Sequence, residues 1–129
     1  MKNDNKRSIL ICDDNLLNRK LVAAMLAKSP YNVREATSGR EAEAIVMADH
    51  DLIDLVLLDI GMKDLSGIDV CRAIRSSLQD QKRHLPIIAY TAHAMVNERE
   101  RYLSAGFNDI LTKPTQREEL FAILDKYLN

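Results

Sequence analysis

Short apolar runs recur along this 129-residue chain between longer amphipathic stretches, and that alternation leaves few folds open. Ser8-Ile-Leu-Ile-Cys12 is nearly unbroken in its apolarity and stops at Asp13-Asp14-Asn15. A strand with one face in water alternates polar and apolar residues, whereas a strand covered on both faces does not. Leu52 to Leu58 is a second run of this kind and ends at Asp59, and Ile87 to Tyr90 is a third, opened by Pro86 and closed by Thr91. Tyr31 to Ala36 and Asn108 to Leu111 predict two weaker strands, the last followed by Thr112-Lys113-Pro114.

Helical spacing fills the intervals. Leu17, Leu21, Ala24, Met25 and Lys28 predict an amphipathic helix over Leu16 to Lys28, stopped by Ser29-Pro30. Thr37 or Ser38 can cap a helix over 39–49 with Ala42, Ile45 and Val46 inward. After a loop from Gly61 to Gly67, Ile68 to Ser77 carries Ile68, Cys71 and Ile74 or Arg75 along one stripe. Residues 78–85 form a polar connection, Ala94 to Ala105 is helical until Gly106, and about 115–128 presents Leu120, Ile123, Leu124 and Tyr127 on one side. Five strands alternating with five helices imply an α/β fold with a parallel sheet, doubly wound, with right-handed crossovers. The polar tail 1–7 precedes one domain over 8–129, and no output domain is expected after the last helix.

Bulk properties exclude several partners. Lys+Arg 18 against Asp+Glu 19 gives a net charge of −1, so nothing pulls the chain toward nucleic acid. The polar start Met1 to Arg7 lacks a secretory apolar segment, and no run nears the roughly 20 residues of a membrane helix. A cytoplasmic protein without membrane insertion is expected. Cys12 and Cys71 belong to no C-x-x-C motif and read as reduced, buried hydrophobes, and His50, His84 and His93 lack zinc-ligand spacing.

The chemistry gathers at the strand ends. In an open parallel sheet ligands bind beyond the carboxyl ends of the strands. Asp13 and Asp14, Asp59, Thr91 and Lys113 stand at four of those ends. Three carboxylates in one crevice repel each other by roughly 3 kcal/mol per pair at about 5 Å and an effective dielectric near 20. One of them protonates or a cation neutralises them, and a set of hard oxygens suits Mg²⁺ or Mn²⁺ rather than zinc. Lys113 and Thr91 offer donors for phosphoryl oxygens, and Asp59 is the natural nucleophile. Singly, each residue except Asp59 is better explained as a helix cap or a solvated charge. Together they favour phosphoryl chemistry.

The segments Ile9-Leu-Ile-Cys-Asp-Asp-Asn15, Asp54-Leu-Val-Leu-Leu-Asp-Ile60, Ile87-Ile-Ala-Tyr-Thr-Ala-His-Ala94 and Asp109-Ile-Leu-Thr-Lys-Pro114 resemble, in order and spacing, the response-regulator receiver domain of two-component signalling. The resemblance covers nearly all of 8–128 and implies a flavodoxin-like strand order 2-1-3-4-5. It implies that Asp59 takes a phosphoryl group from phosphohistidine on a sensor histidine kinase or a histidine phosphotransfer domain. Asp14 and Asp59 would bind Mg²⁺ directly, Asp13 through water and Gly61 through its carbonyl, while Thr91 and Lys113 hold the phosphoryl oxygens. The Lys113–Pro114 bond looks like the family's cis peptide. Asp13-Asp-Asn-x-x-Asn-Arg19 and Thr91-Ala-His-Ala94 look like receivers attached to hybrid histidine kinases, with docking near the first helix and the loop after strand five. The expected output, to an unknown downstream protein, is the face of the fourth helix, fifth strand and fifth helix, with Met95, Val96 and Tyr102 as apolar candidates.

Three positions depart from the family pattern. Ile110 stands where an aromatic switch residue is usual, and Lys63 stands where many members have proline, which predicts a looser loop after Asp59. Gly61 has no side chain to orient a hydrolytic water, which His93 can partly shield or assist. A haloacid-dehalogenase-type phosphatase resembles Asp-x-Asp, and Gly61 in place of the second Asp argues against turnover catalysis, so no enzyme beyond self-phosphorylation and self-dephosphorylation is expected. A receiver that only binds proteins is the alternative, and an acidic crevice would repel a flavin phosphate.

Overall fold

Strand and helix propensities sort out as the apolar runs imply. A computed structural model describes residues 6–77 and 84–129. The first five residues of the expected tail and most of the connection over 78–85 lie outside them. The order is β1 (Ser8–Cys12), α1 (Leu16–Leu26), β2 (Asn32–Ala36), α2 (Gly39–Asp49), a 3₁₀ turn (His50–Leu52), β3 (Leu55–Asp59), α3 (Gly67–Ser77), β4 (Ile87–Thr91), α4 (Val96–Ala105), β5 (Asp109–Thr112) and α5 (Arg117–Leu128). All pairings are parallel, in the order β2-β1-β3-β4-β5. The chain thus has the doubly wound α/β fold.

Successive strand side chains point to opposite faces. Leu10, Cys12, Val56, Leu58, Ile87 and Ala89 pack with α2, α3 and α4, while Ile9, Ile11, Leu55, Leu57, Ile88 and Tyr90 pack with α1 and α5. Two-sided burial explains the absence of alternation in β1, β3 and β4, where every residue is buried.

Local chemistry sets the helix ends. Asn15 caps α1 by accepting from the Asn18 amide at 3.0 Å. Ser38, one of the two expected caps, accepts from the Glu41 amide at 3.1 Å, and Glu41 reaches back to the Thr37 amide at 2.6 Å. Several expected bounds move. α1 ends two residues early, at Leu26, because the Ser29 hydroxyl and amide both take its carbonyl. The first three residues of 52–58 are not strand, since Leu52 closes the 3₁₀ turn.

The inward face of α1 is a correction. The helix buries Arg19, Val22 and Leu26, not the stripe through Leu17 and Leu21, which are 77% and 41% exposed. The cap at Asn15 starts the helix in an orientation that turns positions 19, 22 and 26 to the sheet. Arg19 can lie there because its Nε meets Glu35 at 3.0 Å and its Nη1 donates to the Asp13 carbonyl at 2.7 Å. Hydropathy counts Arg as polar and so selects the wrong stripe.

One residue fastens the lower end of α3. Arg75 donates from Nε to the Gly106 carbonyl at 2.9 Å, from Nη1 to the Leu85 carbonyl at 2.7 Å and from Nη2 to Asn108 Oδ1 at 2.6 Å. Gly106 ends α4 at φ 113°, a left-handed conformation that disfavours any side chain, and an added Cβ would lie 2.9 Å from Arg75 Cγ. Arg75→Ala is expected to destabilise the protein by about 2 kcal/mol in urea unfolding, the scale of lost charge-assisted hydrogen bonds at a partly buried site. A loss below about 0.5 kcal/mol would show that water replaces the guanidinium at no cost.

Candidate functional site

The sheet's switch point lies between β1 and β3, since β2 goes to one side and β4 and β5 to the other. There the strand ends deliver their polar residues: Asp13 and Asp14 after β1, Asp59 as the last residue of β3, Thr91 as the last of β4 and Lys113 just after β5. All five, with Gly61, line one crevice of about 270 Å³ together with Asn15, Asn18, Ala92 and His93. Every site residue expected from the sequence is in it.

The carboxylates are close and mostly withdrawn from water. Asp13 is 1% and Asp59 5% exposed, Asp14 is half-buried, and one oxygen from each of the three lies within 4.8 Å of the others. Local amides hold two of them: Asn15 N donates to Asp13 Oδ1 at 2.9 Å and Gly61 N to Asp59 Oδ1 at 3.2 Å. Asp14 Oδ2 accepts instead from Lys63 N at 2.9 Å. Lys113 Nζ lies 2.8 Å from Asp59 Oδ1 and 3.0 Å from Asp13 Oδ2, with the Tyr90 ring centroid 5.1 Å away. Thr91 Oγ1 accepts from His93 N at 3.0 Å, and the Thr91 carbonyl accepts from Lys113 N at 2.8 Å. The Lys113–Pro114 bond is cis.

Electrostatics leave this cluster short of positive charge. Burial pushes the Asp59 carboxyl above its ordinary 3.8, the Lys113 hydrogen bond and charge oppose that, and Asp13 adds to it. Burial alone would lower the Lys113 ammonium, but its hydrogen bond to Asp59 and its ion pair with Asp13 hold it above 10.5. The two directions agree physically: one ammonium faces two carboxylates, while Asp59 shares that ammonium and also feels Asp13. Among the described residues, three carboxylates against one ammonium leave two formal negative charges. Asp13 Oδ2 accepts no hydrogen bond of sound geometry, although Lys113 Nζ is in ion-pair range. Buried oxygens with lone pairs to spare and a negative surplus fit a hard divalent cation.

Two groups here were not foreseen. Arg19 anchors the Asp13 carbonyl from beneath, and the Lys63 amide reaches Asp14. Arg19 leaves one trace, its place three residues before Val22 and seven before Leu26, whereas a backbone amide leaves none. The loop that Lys63 was expected to loosen is fastened by hydrogen bonds at Lys63 and Asp64. Ile110 is buried at 8% in the core beside α4, away from the crevice. On α4, Met95 and Val96 are 73% and 74% exposed, but Tyr102 is core: its ring meets Phe107 edge-on at 6.1 Å and its hydroxyl donates to the His93 carbonyl at 2.9 Å.

Comparison with known proteins agrees with this geometry. Residues 9–125 match the family model of the response regulator receiver domain. The chain is 38% identical over 120 residues to the signal transduction histidine-protein kinase BarA of Escherichia coli, covering 93% of this chain but 13% of that kinase. It therefore spans only a small part of the length of that kinase. It is 32% identical over 122 residues to the polar-differentiation response regulator DivK of Brucella ovis, covering 95% of this chain and 96% of that one. Among solved structures, the receiver domain of the sensor histidine kinase PA1611 from Pseudomonas aeruginosa superposes with a TM-score of 0.84 at 36% identity, over 95% of this chain and 97% of that one. That structure has a magnesium ion coordinated in its active-site cleft.

Proposed function

The chain belongs to the response regulator receiver domain family of two-component signalling, and on that footing we propose that it is a phosphorelay acceptor switched by phosphorylation of Asp59. The carrying observation is the single ammonium, Lys113 Nζ, set within 3.0 Å of both Asp59 and Asp13 beside a third carboxylate. Asp59 Oδ attacks the phosphorus of a phosphohistidine, a P–O bond forms as the P–N bond breaks, and the histidine nitrogen recovers its electron pair. Asp14 and Asp59 directly, Asp13 through water and Gly61 through its carbonyl would hold Mg²⁺, with Mn²⁺ of similar hardness. That cation supplies charge neutralisation for the transferring group when bound. Lys113 and the Thr91 hydroxyl take the phosphoryl oxygens, which requires Lys113 to turn from two carboxylates toward the new anion.

The donor is a sensor histidine kinase or a histidine phosphotransfer domain in the cytoplasm. Leu16, Leu17 and Leu21, exposed at 58%, 77% and 41% on the helix that starts two residues after Asp14, offer it an apolar landing beside the crevice. Movement of Thr91 and Lys113 is transmitted to the face of α4, β5 and α5, where Met95 and Val96 await a downstream protein. The receiver occupies 8–129 and turns over no external substrate.

The test is incubation with a small acyl phosphate, with and without Mg²⁺, followed by intact-mass analysis. One added phosphoryl group that requires Mg²⁺ is expected. A chain that gains none at any Mg²⁺ concentration is not a phospho-acceptor.

A further inference from the structure

Of the three carboxylates, Asp14 is the one held by a backbone amide from far along the chain. Asp13 and Asp59 accept amides two residues along, but the donor to Asp14 Oδ2 comes from 49 residues away, at 2.9 Å. Lys63 sits in a loop that is fastened at several points. Its neighbour Asp64 accepts the first two amides of α2, Gly39 N and Arg40 N, at 2.9 Å each. Leu65 packs so closely on Gly39 that an added Cβ there would lie 2.9 Å from Leu65 Cβ. At the loop's end Gly67 N donates to the Ile60 carbonyl at 2.9 Å, and an added Cβ on Gly67 would collide with the Asp59 carbonyl oxygen. The loop therefore joins Asp59, Asp14 and the start of α2.

Asp14 is half-buried at the crevice mouth, where an untethered carboxylate samples several rotamers that a cation must freeze. One lone pair given to an amide leaves the rest of the carboxylate for metal, and such outer partners orient ligands. We propose that the Lys63 backbone amide is a positioning group for cation binding, holding Asp14 ready and linking that ligand through the 61–67 loop to the N-terminus of α2. The inference rests on the proposed Mg²⁺ site and adds to it a residue whose side chain is irrelevant. Occupation of the site pulls on Asp14, and the pull reaches Gly39 and Arg40 through Lys63 and Asp64.

Proline has no amide hydrogen, and alanine keeps it, so the pair Lys63→Pro and Lys63→Ala separates backbone from side chain. Mg²⁺ is titrated into each protein, with calorimetry for affinity and the Gly39 and Arg40 amide resonances for the link. Lys63→Ala should bind within about two-fold of wild type, and Lys63→Pro about ten-fold more weakly, the scale of a lost outer partner. The two α2 resonances should respond to Mg²⁺ in wild type and stay still in Lys63→Pro. Equal affinity in wild type and Lys63→Pro, or equal weakening in both variants, overturns the proposal. If Lys63→Pro does not fold, amide hydrogen exchange at Lys63 in the wild type decides. Protection that rises with Mg²⁺ supports the role, while an unprotected amide or one indifferent to Mg²⁺ removes it. A wild type that binds no Mg²⁺ would overturn the proposed function as well, whereas a wild type that binds beside a Lys63→Pro that binds equally overturns this inference alone.

Discussion

Asp59→Asn is expected to accept no phosphoryl group and, in EDTA at pH 7, to be more stable than the wild type by about 1 kcal/mol. The amide is no nucleophile toward phosphorus, so the mass shift should vanish. Stability moves the other way because Asp59 is a charge kept 5% exposed beside Asp13. Asn keeps an oxygen for the Lys113 and Gly61 donors, which lie at 2.8 and 3.2 Å from Asp59 Oδ1. Lys113 also retains Asp13 at 3.0 Å. The gain has a pH signature. A carboxyl whose folded pKa is raised binds its proton more tightly in the folded state, so its contribution to stability is complete below the ordinary 3.8 and is lost as pH rises through the raised value. Wild type in EDTA should lose stability across that window and the variant should not, while Lys113 stays charged throughout. Urea unfolding from pH 4 to pH 8 measures it. A variant less stable than wild type at pH 7 would mean that the Lys113 pair outweighs burial and repulsion.

Lys113→Met removes the counter-charge and keeps most of the length of the side chain. It should cost about 3 kcal/mol in EDTA at pH 7, the lower end for breaking a buried pair, because Asp59 and Asp13 are left facing each other. The deficit should shrink at lower pH, where Asp59 takes up a proton, and shrink on adding Mg²⁺, which replaces the missing charge. Phosphorylation by an acyl phosphate should slow roughly a hundred-fold, as for the loss of one preorganised donor to a transition-state anion. A mass time course and paired unfolding curves test both effects. A Lys113→Met protein with wild-type stability in EDTA would show that the carboxylates do not depend on the ammonium.

The two variants part company because Asp59 is the charge that burial disfavours and Lys113 the charge that makes its burial tolerable. Under the proposed function the site is under tension without its cation and phosphoryl group, and that tension is the expected source of the switch.

How much could be read in advance differs by kind of residue. The runs ending at Cys12, Asp59 and Thr91 were legible because strands buried on both faces cannot alternate; Asp13, Asp59 and Thr91 were legible because each ends or follows such a run, and Lys113 because it follows a weaker one. Arg19 was not, since a guanidinium beneath a sheet is stable only where Glu35 and the Asp13 carbonyl meet it. The three bonds of Arg75 and the grip of Lys63 on Asp14 were equally hidden, because their partners are backbone groups or lie far along the chain.

Composition along the chain therefore determined which segments become strands and helices and which side chains stand at the strand ends, because burial and periodicity act on residue type. Tertiary structure alone decided the face α1 turns inward, the sharing of Lys113 by two carboxylates and the tether on Asp14. Those depend on distances between segments remote in sequence, and on backbone donors that every residue but proline carries alike.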